Sequence, residues 1–175
     1  MRNILILGAG KSSIALIDYL VEKSTEQDWQ ITVADISASH ALQKTKARAN
    51  THAIAFDFYN EANRKQLIGE SDIVISMLPA VMHMPVAEDC LALKKNLVTP
   101  SYISDAMRAL DDKAKKKKLI FMNEVGLDPG IDHMSAMQII HKLKEEGKII
   151  TGFKSYCGGL VAPENDDNQI GRAHV

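Results

Sequence analysis

The sequence predicts an α/β protein, a doubly wound parallel sheet followed by the truncated start of a second, α+β domain. Three observations carry that expectation. Short, almost wholly apolar runs alternate with amphipathic stretches up to about residue 122, as expected of strands buried on both faces and joined by crossover helices. A glycine-bearing turn, Gly8-Ala9-Gly10-Lys11-Ser12-Ser13, follows the first run directly, and Asp35 ends the second run roughly 20 residues beyond it.

Each element can be justified in order. Met1–Leu7 reads as a strand bounded by glycine. Gly8 permits a tight turn, Gly10 lets the backbone approach a ligand, and the next helix brings unpaired amides and positive potential, so the turn is a seat for an anion. The third position of the glycine pattern is Ser13, small but not glycine. Ser12 or Ser13 is expected to cap a helix with Ile14, Ile17, Leu20 and Val21 on its apolar face. The polar segment 24–28 leads to a second strand, Gln30–Asp35, whose terminal carboxylate is placed to meet an adenosine ribose. A helix over Ser37–Ala49, a strand over Ala53–Phe56 and a short helix from Asn60 to Ile68 follow, with Asp57 near the expected adenine position. Asp72–Met77 is the fourth strand, Val81–Lys94 a helix, and Asn96–Thr99 the fifth strand, stopped by Pro100. Ser101 and Tyr102 thus lie at a carboxyl end, where open sheets of this kind bind ligands. A helix capped by Ser104 and running to Lys118, then a strand over Leu119–Met122, complete a Rossmann-type dinucleotide-binding domain over residues 1–123.

Residues 124–169 have another texture. A glycine- and proline-rich loop precedes a helix from His133 to about Glu146, capped by Asp132, and a strand over Lys148–Cys157. Residues 170–175, Ile-Gly-Arg-Ala-His-Val, show no periodicity and resemble a translated sequencing adapter, so the expectation is an artificial truncation with a non-native tail.

Composition narrows the classes of function. Of 175 residues, 46% are hydrophobic and only 5% aromatic, and the formal net charge is −1, which gives no reason to expect a nucleic acid or membrane partner. A small molecule is the expected ligand. Cys90 and Cys157 lack metal or redox-pair spacing, so they read as reduced thiols of a cytoplasmic protein with no metal site. No apolar run approaches 18 residues and no signal-peptide cleavage pattern is visible. Lys115–Lys118 ends a helix and reads as a solvated face, and the scattered methionines as core filling.

Several stretches together resemble the L-glutamate-forming saccharopine dehydrogenases, also called saccharopine reductases. They are Gly8-Ala9-Gly10, Ser76-Met77-Leu78-Pro79, Val98-Thr99-Pro100-Ser101-Tyr102-Ile103-Ser104, Asn123-Glu124-Val125-Gly126-Leu127-Asp128-Pro129-Gly130-Ile131-Asp132-His133-Met134 and Ser155-Tyr156-Cys157-Gly158-Gly159-Leu160. The resemblance extends to about Asn168 and implies a dinucleotide domain interrupted by a catalytic domain, most of which is missing from this chain. It implies an oxidoreductase of lysine metabolism acting on the CH–NH group of saccharopine, to give L-glutamate and 2-aminoadipate 6-semialdehyde or the reverse. The expected cofactor contacts are Gly8, Gly10, Lys11, Ser12, Ser13, Asp35, Asp57, Ser76 and Leu78. Ser101, Tyr102 and Asp128 match substrate-contacting positions, and Asp128, near both substrate and cofactor, is the catalytic candidate. The fragment is expected to bind cofactor better than it catalyses, and a homodimer would form through the missing domain.

Some readings compete. Many relatives use NADP, whereas Asp35 would accept from a ribose 2′-hydroxyl and repel a 2′-phosphate, favouring NAD. His40, Lys44 and Lys46 could neutralise a phosphate or simply form a solvated helix face. Asp128 precedes proline, as ordinary turn residues do. His83 and His133 could approach the cleft or serve in packing, and Cys157 reads as packing beneath Gly158-Gly159. Two alternatives to the saccharopine activity stand: carboxynorspermidine dehydrogenase, and a non-catalytic dinucleotide-sensing domain, which would not need Ser101, Tyr102 and Asp128 at one cleft.

Overall fold

The structure, a computed structural model, describes residues 1–155. By compactness the chain divides into Met1–Met134 and a unit beginning at Ser135. The first unit is built on a six-stranded, wholly parallel sheet: β1 (Arg2–Leu7), β2 (Trp29–Asp35), β3 (Thr51–Ala55), β4 (Ile73–Ser76), β5 (Asn96–Val98) and β6 (Phe121–Met122). The strand order is β3-β2-β1-β4-β5-β6, so the direction of winding reverses between β1 and β4. That is where a doubly wound sheet opens a crevice at its carboxyl edge.

Alternation along each strand builds two cores. Ile4 and Ile6 of β1 join Ile31 and Val33 of β2 beneath α1 (Ile14–Lys23) and α2 (Ala38–Thr45). Leu5 and Leu7 join Val74 and Leu97 beneath α3 (Glu61–Gly69), α4 (His83–Leu93) and α5 (Asp105–Arg108), with Ile68, Val86 and Met107 closing that side. Each wholly buried leucine or isoleucine contributes about 1.5–3 kcal/mol, and β1 supplies three in succession.

Several boundaries differ from expectation, each for a local reason. Lys11–Ser13 forms a separate 3-10 turn before α1. Neither serine caps the helix, because the Ser13 hydroxyl donates back to the Gly10 carbonyl at 2.9 Å. The turn also changes the helical phase, so Ile17, Leu20 and Val21 are buried while Ile14 is exposed. Helix α2 stops at Thr45, four residues before Ala49, where Lys46 and Ala47 adopt positive φ. The helix expected over Ser104–Lys118 is two helices, α5 and α6 (Asp111–Lys116). The Leu110 amide bonds to Met107 three residues back rather than four, and Asp111-Asp112 favour a fresh helix start. Helix α6 ends at Lys116, inside the Lys115–Lys118 run expected to end a helix.

Helix α7 (Ile131–Glu145) contains the boundary between the two units. It starts one residue before Asp132, whose carboxylate accepts from the Gly130 amide instead of capping from outside. The strand expected over Lys148–Cys157 is absent from its described part, Lys148–Ser155. An extended segment needs a neighbouring ladder to satisfy its backbone. Residues 156–175, including Cys157, Gly158-Gly159 and the 170–175 tail, lie outside the described residues. No helix among the described residues is long and apolar enough to cross a membrane.

Candidate functional site

The glycine turn leaves β1 at the winding reversal. Gly8 has φ +99°, and a Cβ there would stand 2.9 Å from the Met77 carbonyl oxygen. Glycine is therefore required for the end of β1 to lie against the end of β4. Gly10 differs: a Cβ on it would meet nothing within 4 Å. It faces open space of the kind a pyrophosphate could occupy, at the start of a helical turn whose first amides lack intrahelical partners. The loop is held from β2, since the Ala9 amide donates to Asp35 Oδ2 at 2.7 Å and the Gly8 amide to the Ala34 carbonyl at 2.8 Å. The Lys44 ammonium, reaching from α2, donates to the Gly10 carbonyl.

Beside the turn lies a groove of about 320 Å³ lined by Gly8, Gly10, Asp35, Asp57, Leu78 and neighbouring apolar residues. Five expected cofactor positions thus share one cavity. The other four are placed differently. Lys11 and Ser12 are exposed on the 3-10 turn, Ser13 is buried and donates to Gly10, and Ser76 is fully buried with its hydroxyl turned to His83. None of these four lines the groove. The sequence reading missed Ile36, Phe58 and Tyr59, which form much of its wall. Ile36 and Tyr59 are 87% and 79% exposed; in the sequence the available signal was a large apolar residue shortly past a strand's carboxyl end, where sheets of this kind bind ligands. Phe58 is held from behind by the Arg64 guanidinium, 5.1 Å from the ring centre, and Arg64 is paired with buried Asp89 at 2.7 Å.

Ends of β4 and β5 are joined by a buried histidine. His83 Nδ1 lies 2.9 Å from Ser76 Oγ, and its Nε2 lies 2.8 Å from Ser101 Oγ and 3.1 Å from Thr99 Oγ1. Burial lowers the imidazole pKa below its ordinary value, favouring the neutral ring, which donates from one nitrogen and accepts at the other. His83 thus sits inside the framework and holds Ser101, while His133 is exposed and bonded to its chain neighbour Asp132.

Beyond Ser101 the chain exposes Tyr102, whose hydroxyl donates to Asp128 Oδ1 at 2.9 Å. Their separation of 26 residues is closed by the 124–130 loop. The Glu124 amide donates to the Ser101 carbonyl, and Glu124 Oε1 accepts from the Ile103 amide at 3.0 Å. Gly126 donates to the Pro129 carbonyl, and a Cβ on Gly126 would meet Pro100 Cβ at 2.9 Å. The loop includes a cis Asp128–Pro129 peptide. Chemically, this end offers a phenol, a hydroxyl and an exposed carboxylate, suited to a ligand bearing both carboxylate and ammonium groups. In the sequence Glu124 is one residue of the Asn123–Met134 stretch, and its role as the clasp between the two loops depends on tertiary placement.

Comparisons agree with the resemblance. A family model described as the saccharopine dehydrogenase NADP binding domain matches residues 4–122, and one described as the saccharopine dehydrogenase C-terminal domain matches residues 126–172. The chain is 36% identical over 170 residues to saccharopine dehydrogenase [NADP(+), L-glutamate-forming] of Saccharomyces cerevisiae, covering 97% of this chain and 37% of that relative. It is also 36% identical to the mitochondrial alpha-aminoadipic semialdehyde synthase of Mus musculus, of which it covers 18%. A solved structure of the apo yeast saccharopine dehydrogenase superposes with a TM-score of 0.79, covering 96% of this chain and 37% of that one. A 3-ketoreductase from Actinomadura kijaniata, at 16% identity and TM-score 0.60, shares the fold. The chain spans little more than a third of the yeast relative it matches. With one family model covering most of its length and a second adjoining it, the chain belongs to the saccharopine dehydrogenase family.

Proposed function

We propose that this chain contributes the cofactor seat and part of the amino-acid site of an L-glutamate-forming saccharopine dehydrogenase, a nicotinamide-dependent oxidoreductase acting on the CH–NH group of saccharopine. In this reading residues 1–123 are the dinucleotide domain, 124–169 begin the catalytic domain and 170–175 are a non-native tail. The observation that carries the proposal is the meeting of Tyr102 and Asp128 beside Ser101, at the same sheet edge as the Gly8–Gly10 turn. A domain that only sensed a dinucleotide would have no use for that second cluster.

The groove fits a dinucleotide: Gly10 leaves room for the pyrophosphate, and Phe58, Tyr59 and Ile36 offer apolar walls for adenine. When bound, a nicotinamide supplies the acceptor or donor of hydride. The protein's part is to bind and orient. Ser101, fixed by His83, donates to a substrate carboxylate, and Asp128, one oxygen of which is held by the Tyr102 hydroxyl, accepts from the substrate nitrogen. Relatives carry further length, and the remaining substrate contacts and any homodimer contacts belong there. A buried, free Cys90 accords with a reducing, cytoplasmic setting.

The test uses the protein that carries this chain together with the length its relatives add. Saccharopine-dependent reduction of the oxidised cofactor, followed at the nicotinamide absorbance, is expected. Reduction with carboxynorspermidine instead would redirect the substrate assignment, and dinucleotide binding without turnover of either would favour a sensor.

A further inference from the structure

We propose that this chain selects NAD over NADP, through the fixed carboxylate of Asp35 and the apolar side chain of Ile36. The inference rests on the reading of the groove as a dinucleotide seat, and it departs from the NADP named for the family model and for the yeast relative.

A bound adenosine ribose would lie at the end of β2. Both Asp35 oxygens are already oriented by the backbone: Oδ2 accepts from the Ala9 amide at 2.7 Å and Oδ1 from the Ser37 amide at 3.1 Å. Each carboxylate oxygen retains accepting capacity, so the group is held rigidly toward the groove that it lines, ready to accept from a ribose hydroxyl. A 2′-phosphate would place its negative charge against that same carboxylate, and like charges brought close in a partly dry groove are costly.

A phosphate could still be accommodated if donors or cations surrounded it. The next residue, Ile36, has neither. Ser37 follows, but its amide is committed to Asp35 and its hydroxyl accepts from the His40 amide and lies 2.8 Å from Ser39 Oγ. The basic residues of the neighbouring turn and helix are Lys11, His40, Lys44 and Lys46. None lines the groove. Lys44 is directed to the Gly10 carbonyl, at the pyrophosphate end, and Lys46 is paired with Asp18 at 2.9 Å. The region that would face a 2′-phosphate is thus acidic and apolar.

Titrating the 175-residue chain with NADH and with NADPH, by nicotinamide fluorescence and by calorimetry, tests this without reliance on turnover. NADH should bind at least about tenfold more tightly. Ile36→Arg, at a largely exposed position, should narrow the gap by raising NADPH affinity several-fold, and Asp35→Ser combined with Ile36→Arg should reverse it. Equal or tighter binding of NADPH by the unaltered chain would overturn the inference while leaving the dinucleotide seat intact. Loss of that NADPH binding in Lys44→Ala would identify the cation responsible. Binding of neither dinucleotide at millimolar concentration would overturn both the inference and the reading of the groove.

Discussion

Gly8 and Gly10 stand two residues apart in one turn, yet replacing them with alanine should have opposite consequences. At Gly8 a new Cβ lies 2.9 Å from the Met77 oxygen and 3.0 Å from its carbonyl carbon, on a backbone with φ +99°. Neither partner can rotate away, because both belong to the end of β4, where Met77 donates to the Leu7 carbonyl at 2.8 Å. A disfavoured φ costs about 1–3 kcal/mol and an unrelieved overlap about 1–3 kcal/mol more. Gly8→Ala should therefore destabilise the fold by roughly 2–6 kcal/mol, a large share of the about 5–15 kcal/mol typical of a domain. At Gly10, φ is −63° and the new methyl meets nothing. Stability should be unchanged or rise by about 0.4–1 kcal/mol, through restriction of the unfolded chain. The methyl enters the space proposed for the pyrophosphate, however, and loss of one charge-assisted contact there, about 1.5–3 kcal/mol, weakens dinucleotide binding ~10- to 150-fold. Urea unfolding followed by circular dichroism gives the first quantity and NADH titration the second. A Gly10→Ala protein that binds NADH like the parent would refute the placement of the pyrophosphate, and an undamaged Gly8→Ala protein would refute the contact argument.

Other expectations concern the framework behind the site. Arg64→Met leaves Asp89 buried without its 2.7 Å partner, Lys65 remaining 3.9 Å away; the urea midpoint should fall by an amount equivalent to about 3–5 kcal/mol. For His83, burial lowers the folded pKa below the ordinary 6.5. The folded state then binds fewer protons than the unfolded chain, so its stabilising contribution is complete above pH 6.5 and declines as pH falls toward the folded pKa, by up to ~1.4 kcal/mol per pH unit. Unfolding measured from pH 7.5 to 5.5 should show a steeper acid loss in the parent than in His83→Gln, and equal slopes would count against a buried neutral ring. The Cys90 thiol, pushed up to about 12 by burial, should resist iodoacetamide at pH 8 until the protein is unfolded; peptide mapping that finds native Cys90 alkylated would contradict its placement.

Features set by local pattern were legible in the sequence. Strands β1 to β5 and the glycine turn follow from apolar runs and breakers, which act within a few residues. Failures occurred where a local signal was modified by something distant. Ile14 has correct helical spacing, but the intervening 3-10 turn rotates it outward. Met107 and Leu110 fit one continuous helix equally well, and only the Leu110 amide's bond to Met107 breaks it. Lys148–Ser155 has strand-like composition but no strand, since propensity without a neighbouring ladder does not make one. At the site, the Ser76–His83–Thr99–Ser101 network gathers residues from two strand ends and a helix start, and no spacing rule brings these together. Tyr102 and Asp128 were paired through resemblance, and the structure supplies their 2.9 Å bond.

Both halves of the proposed site depend on the same construction. At the cofactor end, a strand ends in a glycine whose missing side chain admits the backbone of the neighbouring strand, Gly8 against Met77. At the amino-acid end, Gly126 lies against Pro100, and a Cβ on Gly130 would fall 2.1 Å from the Gly126 oxygen. The groups that would touch ligand project from loops, but close contacts at these glycines, Gly8 with the backbone beyond β4 and Gly126 with Pro100, set the loops' positions. Side chains such as Asp35 and Glu124 then lock them through amides, the one holding Ala9 and the other Ile103. This division separates two kinds of change. The side chains proposed to face ligand, Ile36 and Tyr102 among them, are exposed, so exchanging them should alter what binds without disturbing the sheet. The glycines cannot, because any Cβ at Gly8, Gly126 or Gly130 displaces a neighbouring element and every contact that it carries.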